Sequence, residues 1–206
     1  MKKLLNLRYL VLFAMLALTT IYSIQVIIFD HAYLYGENEL MEHTQLLILV
    51  LVGITFSLLI SEKNWAATKS FSPSLSFLAL LGAALSISFI IREMNVKKGE
   101  IDWLIFFVDG QGYKIIMALL WVPLLYKAFQ YKVQYIELIK KGIFSPTSLF
   151  LMAAVALLGF GALFDKEVIV VEYFRFYEEV LEMNGYGFML LAALSLRNDM
   201  VKLVSE

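Results

Sequence analysis

Six apolar stretches recur along this chain, each long enough to cross about 30 Å of membrane hydrocarbon, and only short segments separate them. Backbone N–H and C=O groups find no water in hydrocarbon, so such stretches fold as helices that satisfy their own hydrogen bonds. The sequence therefore predicts an all-α polytopic membrane protein in which residues 1–206 form a single six-helix transmembrane domain. The approximate spans are residues 7–29, 44–60, 74–91, 113–130, 145–164 and 179–196.

The composition agrees with this class and narrows the chemistry. Hydrophobic residues make up 61% of the chain and charged residues 17%, which is too apolar for a soluble domain of this size. A net charge of −1 gives no reason to expect a nucleic-acid partner, so the lipid bilayer is the expected surrounding. Because cysteine is absent, disulfides, iron–sulfur clusters and thiol catalysis are excluded, and His31 and His43 are the only imidazoles.

The basic residues predict the orientation, because short loops rich in Lys and Arg stay in the cytoplasm. The apolar run after Met1-Lys2-Lys3 is too long for a secretory signal, so we expect an uncleaved first span. We therefore expect a bacterial inner-membrane protein with both termini cytoplasmic. Eleven of the seventeen basic residues lie on the predicted cytoplasmic side: Lys2, Lys3, Arg8, Lys63, Lys69, Lys127, Lys132, Lys140, Lys141, Arg197 and Lys202.

The acidic residues show the opposite asymmetry. Fourteen of the eighteen fall on the predicted outer side, and many of these stand where apolar helices begin or end. A carboxylate near hydrocarbon requires a partner, a proton or a metal ion, because burying it alone costs several kcal/mol. We therefore expect the functional site among these acids, facing the periplasm. The acids at helix ends are Asp30, Glu39, Glu42, Glu93, Asp109, Asp165, Glu178, Glu179 and Glu182.

The same acids recur in a pattern that divides the chain into three helix pairs. The first, third and fifth spans end with an acid, and the second, fourth and sixth begin with one. This pattern fits a pseudo-repeat of three related hairpins around a shared outer site, as internal repeats do in some transporters. It also fits the general preference of acids for helix N-termini, without any duplication.

The start of span two combines carboxylates with an imidazole. Glu39 and His43 are four residues apart and Glu39 and Glu42 are three apart, so on a helix the side chains share one face. Carboxylate and imidazole at this spacing can hold one edge of a divalent metal ion. We therefore predict Glu39, Glu42 and His43 as metal ligands, with Glu39 and His43 also catalytic. The alternative is a solvated helix start with a surface histidine.

Span six repeats the carboxylate spacing. Glu178 and Glu182 are four residues apart, and Glu179 and Glu182 are three apart. Glu182 lies about one turn inside the span among apolar residues, with Tyr186 one turn deeper. We predict Glu178 and Glu182 as metal ligands and Glu182 as a catalytic residue. Solvated positions are the alternative for Glu178 and Glu179.

Two cations stand near the remaining outer acids. Arg92 closes span three beside Glu93, and Lys114 lies just inside span four after Asp109. We predict Arg92 and Lys114 as the cations that balance the carboxylates, and Arg92 also fits the binding of a phosphate or a lipid headgroup, since guanidinium stays charged and can bind two oxygens at once. Snorkelling to the interface is the alternative for Arg92. Glu93 and Asp109 are predicted metal ligands, and Asp109 also fits a helix N-cap.

Three short motifs mark the outer helix ends: Glu39-x-x-Glu42, Arg92-Glu93 and Glu178-Glu179-x-x-Glu182-x-x-Gly185-Tyr186. Together they resemble a group of small six-span bacterial inner-membrane proteins of uncharacterised activity. The resemblance covers most of the chain and implies the six-span architecture, but it implies no activity. Nucleotide-binding loops, zinc-protease motifs and nucleophile elbows are absent from the sequence.

These observations lead to three functional hypotheses. The cytoplasmic halves of the spans carry few polar groups, which favours an outward-facing enzyme or binding site over a path through the membrane. The first hypothesis is that a divalent metal ion activates water to hydrolyse a lipid or lipid-linked substrate. The second is a cation or proton transporter, or a channel-like subunit, that uses the same acids. The third is a non-catalytic membrane partner, and self-association into a homo-oligomer stays open.

Overall fold

A computed structural model describes residues 2–36, 39–61, 72–94, 105–107 and 111–205, and every regular element among them is helical. This confirms the all-α prediction. A π-helical turn, Ile24–Ile28, and a 3-10 turn, Ala32–Tyr35, follow the first helix. The α-helices are α1 (Lys2–Ser23), α2 (Leu40–Ser61), α3 (Ser72–Glu93), α4 (Gln111–Gln130), α5 (Lys132–Gly142), α6 (Pro146–Asp165) and α7 (Phe174–Ser205).

Five helical segments of the described chain are long and apolar enough to cross a membrane, and they overlap the first five predicted spans. Large apolar side chains on them, such as Phe13 and Leu119, are 70% and 73% exposed, which is typical of a surface that faces lipid. The sixth predicted span corresponds to α7, whose acids and Asn184 lower its mean hydropathy. The five segments are Asn6–Ile28, Ala32–Ile60, Leu75–Glu93, Gln111–Gln130 and Pro146–Asp165.

The described helices form two compact units, and α2 and α7 contribute to both. The first unit comprises Met1–Ile48 and Pro146–Leu196, and the second comprises Leu49–Ser145 and Arg197–Glu206. In the second unit, α3 packs against α4 around buried Phe77 and Leu124. Two hydrogen bonds supplement this apolar packing, as is common between membrane helices. Ser86 Oγ donates to the backbone oxygen of Leu49, and Trp121 Nε1 donates to Ser88 Oγ.

The first unit is built around α7, which crosses two neighbouring helices at glycines. A Cβ atom added to Gly185 would lie 2.8 Å from Cγ of Leu158 on α6. At Gly187 an added Cβ would lie 2.5 Å from Sδ of Met15 on α1. Glycines thus let the α7 backbone approach both helices, which is the usual role of small residues between membrane helices. Nearly every side chain of α7 from 182 to 196 is buried as a result.

Candidate functional site

Two acids on the first turns of α7 are buried. The side chains of Glu179 and Glu182 are only 7% and 4% exposed, and their three-residue spacing places them on neighbouring positions of one helix face. The solvated alternative considered for Glu179 is therefore wrong. Glu178, by contrast, is only partly buried. Glu179 and Glu182 are thus the buried acids of the sixth predicted span.

Gln45 of α2 holds the first of these acids. Its Nε2 donates a hydrogen bond of 2.6 Å to Oε2 of Glu179 and another of 3.0 Å to the Glu179 backbone oxygen. Gln45 is fully buried, and its Oε1 has no hydrogen-bond partner within the described part of the chain. The Gln45 amide therefore orients the Glu179 carboxylate. Its Oε1 can still accept a hydrogen bond or bind a cation.

Glu182 lies against a glycine of α6. A Cβ atom added to Gly161 would be 3.3 Å from Cγ of Glu182 and 3.6 Å from the backbone oxygen of Glu178. Gly161 is itself buried, so no side chain separates the α6 backbone from the Glu182 stem. Larger residues here would have to displace the acid. The glycine thus helps to create the space in which Glu182 is buried.

A third polar side chain of α7 connects it to α1. Asn184 Nδ2 donates to Oγ1 of Thr19 at 2.9 Å and to the Val180 backbone oxygen at 2.8 Å. These contacts and those of Gln45 join three helices through side-chain amides within two turns of α7. We call these four hydrogen-bonded side chains, together with the buried Glu182 of the same stretch of α7, the polar core: Thr19, Gln45, Glu179, Glu182 and Asn184.

The connection after α1 contains a second polar arrangement. Nδ1 of His31 lies 2.7 Å from Oε1 of Gln25, which is part of the π-helical turn, and π-helical turns are frequent at functional sites. Asp30 and Tyr173 both have positive φ angles, 54° and 61°. The Asp30 charge is the main cause that raises the pKa of the Tyr173 phenol above its usual value. His31, which is partly buried, is therefore better integrated into the fold than His43.

The predicted residues at the start of α2 lie in a more open environment. Glu39 and Glu42 are partly exposed, and His43 is exposed. Among the described residues the side chain of His43 makes no hydrogen bond to a carboxylate. The alternative of a surface histidine describes His43 better, because its position on α2 turns it away from the helix face that carries Met41 and Gln45.

The remaining predicted residues belong to the second unit or lie outside the described part. Arg92 is bound to its neighbour Glu93, with 3.0 Å between Nη2 of the arginine and Oε1 of the acid. The guanidinium also lies over the Phe89 ring, 5.8 Å from its centroid. Lys114 is exposed on α4. Asp109 lies outside the described residues, and its predicted role stays a prediction.

The predicted seven-residue metal cluster is not assembled in the part of the chain that the structure describes. No three His, Asp or Glu side chains there come close enough to hold a metal ion together. Helix rotation is the reason, because Glu179 and Glu182 face the interior whereas His43 faces outward. What the structure shows instead is that Glu179 and Glu182 are both buried on α7 and that the Gln45 amide is bonded to Glu179. Gln45 could have been noticed in the sequence as a polar residue within an apolar span.

Comparison with known proteins adds no assignment. No family model, curated protein or solved structure matches this chain. The resemblance to small six-span bacterial inner-membrane proteins therefore stays a prediction from sequence motifs.

Proposed function

We propose that this protein is a six-span inner-membrane cation or proton transporter, or a subunit of one, whose cation site is the polar core. In this proposal α7 is the sixth span and both termini are cytoplasmic. The observation that carries the proposal is the burial of Glu179 and Glu182, both more than nine-tenths buried, within one turn of α7. Ionisable residues buried within a membrane bundle usually mark ion or proton pathways.

The electrostatics of two adjacent buried carboxylates support a cation or a proton as the ligand. Two carboxylates on neighbouring positions of one helix turn repel each other when both are charged. Binding a proton or a cation reduces that repulsion. The polar core would therefore change its charge whenever its ligand enters or leaves, which is the property that a coupling site needs.

The ligand atoms of the polar core favour hard cations over softer transition metals. Carboxylate oxygens of Glu179 and Glu182 and the amide oxygen of Gln45 are all oxygen donors, the kind that Mg²⁺, Ca²⁺ and alkali cations prefer. The sequence contains no cysteine, so no thiolate can join these oxygen ligands. With its Nε2 bonded to Glu179, Gln45 would accept the incoming cation or hydronium on Oε1.

The hydrolase hypothesis receives less support from the same geometry. It relies on Glu39, His43 and Glu182 for catalysis at a metal ion, and His43 is exposed and makes no bond to a carboxylate among the described residues. We therefore do not extend it beyond a prediction from sequence. The three-hairpin pseudo-repeat also stays a prediction, and the transporter proposal does not depend on it.

Flux through reconstituted protein tests the proposal. We expect proteoliposomes to carry a proton, Na⁺, K⁺, Mg²⁺ or Ca²⁺ flux down an imposed gradient, and Glu182→Gln or Glu179→Gln to abolish it at nearly unchanged side-chain volume. Glu137→Gln, at an exposed position of α5, is the matched control and should retain the flux. Absence of flux under every one of these gradients, or flux that survives both core variants, would overturn the proposal.

The proposed topology can be tested in cells because the chain has no cysteine. A single cysteine introduced at exposed Glu167 should react with a membrane-impermeant maleimide in intact spheroplasts, since this position precedes α7 on the proposed outer side. A cysteine at exposed Lys140 should react only after the membrane is opened. The opposite labelling pattern would reverse the orientation, and labelling of both in intact spheroplasts would refute the six-span arrangement.

A further inference from the structure

A short amphipathic helix, α5, lies between the fourth and fifth candidate spans. At about 1.5 Å per residue its eleven residues extend about 16 Å, which is too short to cross a membrane. The preceding candidate span ends at Gln130 and the following one begins at Pro146. Both ends of α5 are therefore held where membrane-spanning helices leave the hydrocarbon.

One face of α5 packs against the rest of the second unit, to which α5 itself belongs. The ring of Tyr135 stacks on Phe77 of α3, with 4.8 Å between the ring centroids, and Gly142 is buried. Burial is the main cause that raises the pKa of the Tyr135 phenol, which agrees with a ring docked against the protein. Because 135 and 142 are seven residues apart, they mark one stripe of the helix as the side that packs on the protein.

A different face of α5 is apolar and exposed. Val133, Ile136 and Ile139 recur every three residues and are 64%, 49% and 59% exposed. Lys132 and Lys140 lie on the same face, about 40° to either side of Ile136 and within the arc from Val133 to Ile139, given 100° per residue. Lys141 lies on the opposite side of the helix, near Gln134. Apolar and basic side chains thus share one face, and polar residues occupy another.

From this arrangement we propose that α5 lies in the membrane interface and binds anionic phospholipid headgroups through Lys132 and Lys140. The exposed row of Val133, Ile136 and Ile139 would enter the boundary between headgroups and acyl chains. Lys132 and Lys140 would extend along this surface and place their ammonium groups at the level of the phosphates. The proposal concerns the second unit and does not depend on the transporter function.

Two features favour the bilayer as the partner of this face. The adjoining helices α4 and α6 are candidate spans, so the nearest apolar phase at both ends of α5 is the membrane itself. Lysines beside an apolar row match a surface that is apolar below and negatively charged above. Exposed Phe144, directly after α5, continues the apolar surface towards α6 and is 82% exposed.

Spin labels on the full-length protein test where the helix lies. Ile139→Cys and Gln134→Cys variants of this cysteine-free chain would each carry one nitroxide in vesicles of phosphatidylcholine with phosphatidylglycerol. We expect oxygen to collide preferentially with the label at 139 and a water-soluble nickel chelate with the label at 134. Equal access of the nickel chelate to both labels would overturn the interfacial placement.

Lipid counting on the intact protein tests the headgroup preference. Detergent-solubilised protein would be titrated with short-chain phosphatidylglycerol or phosphatidylcholine, and intact-protein mass spectrometry would count the bound lipids. Each lysine near an anionic surface contributes about fivefold in affinity, so Lys132→Gln/Lys140→Gln should weaken phosphatidylglycerol binding about 25-fold. Lys141→Gln is the control and should change it much less. Equal effects of the double variant and the control, or equal affinity for the two lipids, would contradict the proposal.

Discussion

Replacing Gln45 by Met is the sharpest test of the polar core. Methionine has nearly the length of glutamine but donates no hydrogen bond, so Gln45→Met removes both bonds from Nε2 to Glu179 while largely preserving the packing volume. Gln45 is fully buried, so water cannot replace the lost donor. The Glu179 carboxylate would then lose a partner that lies 2.6 Å away.

The expected loss of stability follows from the two bonds. Hydrogen bonds between membrane helices contribute about 0.6 kcal/mol on average and up to about 1.7 kcal/mol, because the unfolded chain in the membrane also finds partners. The bond to the backbone oxygen belongs near the average, and the short bond to the carboxylate belongs near the maximum. We therefore expect Gln45→Met to lower the free energy of unfolding by about 2 kcal/mol.

A double-mutant cycle with Glu179→Met separates the carboxylate bond from the remaining effects. Glu179→Met alone removes the acid and leaves Gln45 bonded to the backbone oxygen, so we expect a loss of about 1 kcal/mol. When both residues are Met, there is no carboxylate left without its donor. The two losses of stability should therefore not add. We expect a coupling energy of about 1 kcal/mol between the two positions.

The measurement is equilibrium unfolding of the four proteins in mixed micelles with increasing sodium dodecyl sulfate, followed by circular dichroism. Independent sites usually add within about 0.5 kcal/mol, so a coupling energy below about 0.5 kcal/mol would refute the inferred bond between Gln45 and Glu179. A Gln45→Glu variant provides a further check. It places a third acid in the polar core and should be more destabilising than Gln45→Met in neutral solution.

Two other predictions concern packing and charge outside the polar core. A Cβ on Gly82 would lie 2.5 Å from the buried Phe56 ring, so Gly82→Ala should lower the unfolding free energy by about 1 to 2 kcal/mol. Gly159 has open space around it, so Gly159→Ala should raise the unfolding free energy by about 0.5 to 1 kcal/mol. Equal effects in the same unfolding assay would contradict this packing. Asp30→Asn should lower the pKa of Tyr173 in a phenol absorbance titration, because the carboxylate disfavours the phenolate. An unchanged titration, judged against Tyr173→Phe, would argue against this proximity.

Much of the architecture was predictable because the signals that determine it are local. Membrane-length apolar runs impose helices wherever they occur, and the predicted spans coincide with the observed helices to within a few residues at most ends. The short helix α5 was missed as an element, since its eleven residues mix lysines with isolated apolar side chains. The three-residue repeat of its apolar side chains can be interpreted only when Tyr135 is known to pack on Phe77, because that contact shows which face of α5 is docked.

The candidate site was only partly predictable, and its acids illustrate why. Glu182 was singled out because apolar neighbours surround it in the sequence, and it is indeed buried. Glu39 and His43 have a suitable spacing for a metal site, but spacing does not determine which way a helix is rotated about its axis. Rotation of α2 buries Gln45 and leaves His43 exposed. Gln45, which holds Glu179, therefore belongs to no sequence motif that marks a site.

The sequence by itself determined that this protein is helical and apolar enough for a membrane, and it indicated where the helices begin and end. These properties follow from hydrogen bonding within each segment and from transfer of each segment out of water. Tertiary structure alone decided which acids are buried and which residues they meet. Gln45 and Glu179 are 134 residues apart in the chain, and only the packing of α2 beside α7 brings their side chains within hydrogen-bonding distance.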